Sequence, residues 1–286
     1  MKRNLAILFK GFIMGVAEII PGVSGGTFAL ILGIYQRLIN ALSQINSSFI
    51  KKVYKLNLRE AWLGIDGNFL LFLVLGMLLA AISFSSVIIF LFQNFPSFLK
   101  SFFSGILLLS LFTKPLIPDQ LRKGFIIGFS LAFLLVIFLW SLPIQEFSSS
   151  NLLFIFLAGS VAVCAFILPG ISGSFVLLIL GFYQQIIFAI KELDLAILSV
   201  LFSGCLFGLL LFIQLLKKAL LNYPYCMSGF FYALVMFSIP LIWKTDVWVM
   251  SFPNSQYELF QALIGILFGI FFLFILQRLS SIFQDT

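Results

Sequence analysis

The stretch Pro21-Gly22-Val23-Ser24-Gly25-Gly26-Thr27 returns 148 positions later as Pro169-Gly170-Ile171-Ser172-Gly173-Ser174-Phe175, each copy between apolar flanks. Of the sixteen positions Pro21–Gln36, ten are identical to Pro169–Gln184. The identities include Leu30-Ile31-Leu32-Gly33 against Leu178-Ile179-Leu180-Gly181 and the Tyr-Gln pairs that follow. Apolar sequence can imitate Leu and Ile by chance, but not a fixed order of Pro, Gly, Ser, Gly, Tyr and Gln. The chain is an internal duplication, and both halves carry the same structural problem.

That problem is a shortage of charge. Only 9% of the 286 residues are charged and 62% are hydrophobic, whereas a soluble domain is about a quarter charged. The chain therefore reads as an all-α polytopic membrane protein. Its net charge of +7 belongs to loop lysines and arginines facing anionic lipid rather than to a nucleic-acid surface, so no nucleic-acid partner is expected. Cys164, Cys205 and Cys226 lie in apolar runs without metal-ligand spacing and read as packing residues. Histidine is absent, which removes the commonest general base and metal ligand. No catalytic residue, metal or cofactor is expected. The N-terminal Met1-Lys2-Arg3 and its apolar run resemble a signal peptide, but Lys10, Glu18 and Pro21 interrupt the run. It reads instead as the first membrane element.

A spanning helix needs about 20 residues. The limb before Pro21-Gly22 is shorter than that, and the Pro-Gly pair stops it. A second limb runs from about Gly25 to Leu42. Two limbs joined by a tight turn predict a re-entrant helical hairpin over 5–43, followed by a polar loop over 44–66 and spans at 67–92, 98–113 and 123–144. The second half repeats the plan, with a hairpin over 151–190 and spans at 195–216, 225–243 and 258–279. The repeats are then 1–144 and 145–286, one membrane domain overall. At an offset of 128, Gly76, Pro96, Phe102, Phe103 and Ser110 meet Gly204, Pro224, Phe230, Phe231 and Ser238. The first half thus carries 20 extra residues, placed most simply in its 44–66 loop.

Charge tests the orientation. If each hairpin returns to its own side and both termini are cytoplasmic, 14 of the 17 basic residues fall inside, leaving Lys100, Lys191 and Lys244 outside. If the hairpins crossed instead, the split would be 7 inside and 10 outside. The positive-inside rule selects the first arrangement. Three spans per half is an odd number, so the second repeat is predicted to be inverted, as in many secondary transporters.

Non-helical backbone at membrane depth must be buried in protein or line a wet cavity, so the two tips should face each other or a cavity. A helix starts after each, at Gly25 and Gly173, with unpartnered N–H groups and the positive end of its dipole. Such ends suit anions, phosphate above all. The candidate binding residues are Ser24, Gly25, Gly26, Thr27, Ser172, Gly173 and Ser174, with Pro21, Gly22, Pro169 and Gly170 setting the tip geometry. The bland alternative is a kink whose small residues only let helices pack closely. Glu18 is the single acid within an apolar limb; an ionisable residue at depth costs about 3 kcal/mol and marks an ion or substrate path, so Glu18 is the candidate for proton coupling. It could equally pair with Lys10 or Arg37. Arg37 could meet a phosphate or serve as a cytoplasmic anchor.

Glu18-Ile-Ile-Pro-Gly-Val-Ser-Gly-Gly-Thr with Leu-Gly-Ile-Tyr, together with Leu168-Pro-Gly-Ile-Ser-Gly-Ser and Leu-Gly-Phe-Tyr, resembles the signature pair of a bacterial family of polyprenyl-phosphate transporters. The resemblance covers nearly the whole chain. It implies movement of undecaprenyl phosphate, the lipid carrier of cell-wall precursors, across the cytoplasmic membrane so that the carrier is recycled, with the lipid as partner. It also implies that the Pro-Gly-x-Ser-Gly positions and Glu18 form the site. Two positions depart from the pattern: Gln36, where an acid is expected, and Gly26 against Ser174. The rival readings are a transporter or channel for a small soluble anion, and an intramembrane lipid-processing enzyme.

Overall fold

The computed structural model describes residues 2–20, 22–117, 122–141, 151–243 and 252–282. Among them there are helices and no strands. The first half runs α1 (Lys2–Ile19), α2 (Gly25–Ile31), α3 (Tyr35–Ser43), α4 (Ser47–Tyr54), α5 (Leu58–Gly64), α6 (Gly67–Asn94), α7 (Pro96–Leu111) and α8 (Lys123–Ser141). The second runs α9 (Leu152–Ile167), α10 (Gly173–Ile179), α11 (Tyr183–Lys191), α12 (Leu195–Asn222), α13 (Pro224–Ile242) and α14 (Gln256–Ile282). Among the described residues five helices are long and apolar enough to cross a membrane: α6, α8, α12, α13 and α14 up to Arg278. The span expected over 98–113 is α7, 16 residues long, too short by itself for about 30 Å of hydrocarbon.

Three expected boundaries move. The second limb of each hairpin is not one helix. α2 stops at Ile31 because Gly33 adopts φ 70°, letting the Ile34 N–H reach Ala29 O at 2.9 Å and the Gly33 N–H reach Leu30 O at 3.0 Å. This is a glycine-terminated helix end of the Schellman type. Gly181 repeats it with φ 79°, and α10 and α11 meet there at a bend of 113°. The 44–66 segment, expected as a loop, holds α4 and α5. Asn46 caps α4 by accepting from the N–H groups of Ser48 and Phe49, as an Asn at this position should. Finally, α12 continues past Leu216 through Lys217 and Lys218 to Asn222. Lys217 Nζ donates to Ser43 Oγ at 3.0 Å and the Gln214 amide donates to Ser43 O at 2.6 Å. The pair ties the end of α3 to the other half of the chain.

The duplication of sequence recurs as a duplication of packing. α1 packs along α6 as α9 packs along α12, while α7 packs on α14 as α13 packs on α8. A methyl group added to Gly76 would collide with Leu8 O, and one added to Gly204 with Phe156 O; both pairs are equivalent in the repeat. In the exchanged pairs, Gly265 lies against Phe98 O and Phe102 N, and Gly128 against Cys226 O and Phe230 N, again equivalent positions. Lipid offers no hydrophobic drive for helices to associate, so close backbone approach through small residues holds them instead. Long faces of α6, α8, α12 and α14 remain apolar and exposed, Ile82 at 80% and Leu267 at 66%, as a lipid-facing surface requires.

Candidate functional site

The two glycine-rich tips meet. Gly22 and Gly170 turn the chain with φ 86° and 82°, a conformation other residues adopt only with strain. Pro169 follows the end of α9 at Ile167; Pro21 lies outside the described residues. Beyond the turns Ser24 and Ser172 occupy the N-cap positions of α2 and α10 in extended conformation, yet neither side chain caps a backbone N–H of its own helix. Ser24 Oγ donates to Leu168 O at 3.3 Å, and Ser172 Oγ lies 2.7 Å from Ser174 Oγ. In return, the Gly170 N–H donates to Thr27 Oγ1 at 2.7 Å, and Tyr35 OH donates to Ile167 O at 3.2 Å. Ser24, Thr27 and Ser172 are all at most 3% exposed. Backbone groups freed at the second break are thus satisfied by side chains of the first hairpin, as buried polar groups must be.

Gly26 explains its departure from the repeat. A methyl there would stand 2.8 Å from Ile167 O and 3.3 Å from the carbonyl oxygens of Phe166 and Leu168. Its equivalent Ser174 is exposed, so a side chain fits. Only the first tip is pressed against the carbonyl end of the facing helix.

Glu18 pairs with neither Lys10 nor Arg37. Its Oε2 accepts from the Gly25 N–H at 2.6 Å, so a carboxylate already occupies the amide end that sequence reasoning reserved for an anion. Lys10 Nζ donates to Leu32 O at 3.1 Å and satisfies the carbonyl freed where α2 ends. Arg37 Nε contacts Asp66 Oδ2 at 2.7 Å, and its guanidinium lies 4.3 Å from the Phe69 ring centre. The structure therefore brings Ser24, Gly26, Thr27 and Gly170 together across the tips, holds Glu18 on Gly25 beside them, keeps Ser172, Gly173 and Ser174 at the start of α10, and engages Arg37 with the start of α6. Among the described residues, no group of His, Cys, Asp and Glu has metal-binding geometry.

Sequence reasoning missed Lys100. Counted as an outer-side charge, it is 7% exposed within α7, with Nζ 5.9 Å from the Trp243 ring centre. Trp243 Nε1 donates to Ser104 Oγ at 2.9 Å. Trp243 directly follows Ile242, against whose backbone Gly22 of the first tip is packed. A buried lysine and the Trp243–Ser104 hydrogen bond thus adjoin the tip through the end of α13. The signal was present: Lys100 is the single charge between Asp66 and Lys114.

A family model described as undecaprenyl phosphate translocase-like matches residues 14–260, which takes in both tips and their flanking helices. The chain belongs to this family. It is 32% identical over 262 residues, 90% of this chain and 84% of the relative, to a polyprenyl-phosphate transporter of Vibrio cholerae. It is 29% identical over 197 residues, 65% of each chain, to a polyprenyl-phosphate transporter of Staphylococcus aureus. No solved structure matches the chain. Membership joins the residues carrying the tip network to a bacterial, multi-pass membrane protein family.

Proposed function

We propose that this protein transports a polyprenyl phosphate, undecaprenyl phosphate in the first instance, across the bacterial cytoplasmic membrane. The observation that carries the reading is the meeting of the two tips, with a carboxylate already resting on the Gly25 amide. A site that accepts a carboxylate at an amide end, next to hydroxyls and buried from water, has the chemistry for a phosphate monoester. Only the head group needs such a path, since the tail is at home in lipid. Flux measured in liposomes should be strong for undecaprenyl phosphate and absent for the matched neutral polyprenol. Equal flux of the two would remove the head group from the mechanism, and flux of a soluble anion without lipid substrate would favour the small-anion reading.

The halves are inverted in this proposal, each hairpin re-entering from its own side and both termini cytoplasmic. The exchanged packing of α7 with α14 and α13 with α8 supports that reading, because two oppositely oriented repeats interlock this way about a common axis. Cysteines introduced at Lys52 and at Lys191 should react with an impermeant reagent from opposite faces of the membrane. Labelling of both from one face would overturn the inversion. Alternating access is then a rocking of the repeats about the meeting tips, with Glu18 exchanging its amide contact for a proton when phosphate enters.

A further inference from the structure

Between the pair α1/α6 and the pair α7/α14 the packing opens into a cavity of about 370 Å³. The space lies within the range of sites for small ligands, about 300–1,000 Å³. All fifteen residues around it are apolar and nine are phenylalanine, so it offers nothing to a phosphate. Its lining includes Phe9, Phe84 and Phe268, which are 42%, 38% and 55% exposed. Its inner wall is buried and includes Phe28, 1% exposed. Phe28 directly follows Thr27 of the first tip. The space beside the second tip, between α8, α10 and α13, amounts to about 20 Å³. The large cavity adjoins the first tip, whose hairpin carries Glu18.

We infer that this cavity holds the first isoprene units of the polyprenyl tail while the phosphate lies at the tips. The inference rests on the transport reading above and adds a second determinant of substrate to it. Moving a hydrocarbon from lipid into an apolar cavity gains little from water exclusion, because lipid is already as apolar as the wall. What the cavity can add is contact, and contact depends on shape. A methyl-branched, unsaturated chain is bulky and kinked, and fits a ring-lined space that a straight acyl chain fills poorly. The cavity thus selects isoprenoid over acyl phosphates, whereas the tips select phosphate over alcohol.

The test uses undecaprenyl phosphate carrying a photoreactive diazirine in an isoprene unit near the head group, with the full-length protein in liposomes. Peptides carrying Phe12, Phe103 or Phe272 should be labelled, and unlabelled undecaprenyl phosphate should compete while phosphatidylglycerol does not. Filling the cavity with Leu91→Trp should lower that labelling by about tenfold, with the helix content unchanged. Val16→Trp is the second variant, from another wall, should the first not fold. Equal labelling by a diazirine phosphatidylglycerol, or unchanged labelling in both filled variants, overturns the inference. The two readings separate cleanly. Loss of transport on altering the tips with no labelling of the cavity leaves the head-group site and removes this one. Selective labelling of the cavity that persists alongside normal flux in tip variants does the reverse.

Discussion

Replacing Gly26 with serine, its counterpart in the second repeat, should cut transport of undecaprenyl phosphate by a factor of about ten to a hundred. The first added atom would lie 2.8 Å from the Ile167 carbonyl oxygen and close to those of Phe166 and Leu168. All three are backbone atoms at the end of a helix, which cannot rotate aside as a side chain could. Overpacking of this kind costs about 1–3 kcal/mol, and each 1.4 kcal/mol is about tenfold in a population or a rate. The strain falls on the apposed arrangement of the tips, so that arrangement becomes rarer and the cycle slows with it. Ser174→Gly, the mirror change, should have the smaller effect, because Ser174 is exposed and the change removes a hydroxyl contact with Ser172 without adding an atom. Matched flux assays on both variants check the pair. Comparable activity of Gly26→Ser and wild type would mean that close contact of the tips is not part of the cycle.

This asymmetry could not be read from the motif, which shows where the repeats differ but not what each differing position touches. The hairpin tips, the duplication and the membrane class were legible because each rests on residue types with few alternatives: Pro-Gly at a helix stop, a fixed order of small residues, and long stretches without charge. The break between α2 and α3 was legible too, yet passed over. Gly33 and Gly181 mark the duplication through the repeated Leu-Gly-x-Tyr pattern, and their position after a short apolar helix is also that of a terminating glycine. The polarity of the 44–66 segment suggests a loop, but Asn46 at an N-cap position with Lys51 and Lys52 one to two turns on marks a helix. The burial of Lys100 is not given by a charge count, which assigns every lysine to a surface, whereas a lone lysine early in an apolar helix is a buried-site signal. Beyond these, the contacts from Ser24 to Leu168 and from Gly170 to Thr27 bridge more than a hundred residues. No local pattern encodes such distance.

Exchanging Glu18 for glutamine should uncouple transport from the proton gradient. In the structure the carboxylate accepts from the Gly25 N–H at 2.6 Å, and a phosphate seeking that amide has to displace it. A displaced carboxylate loses its donor in a site largely removed from water, so it is better neutralised than left charged. In the proposed cycle phosphate binding and proton binding are therefore linked in the same direction. Lowering the pH on the loading side should raise wild-type flux, because the protonated carboxyl leaves the amide to the lipid; raising the pH should lower it. The other charged groups nearby do not supply this response: Lys10 donates to Leu32 O, Arg37 contacts Asp66, and α2 carries no charge. The lipid phosphate itself titrates near pH 6 or so, which is why the comparison must be made with the glutamine variant. Glutamine keeps the shape and the acceptor oxygen but takes up no proton. Its flux should retain only the pH dependence of the phosphate and lose its response to an imposed proton gradient, while wild type shows both. A glutamine variant that still follows the gradient would assign coupling to some other group and leave Glu18 as a structural cap on α2.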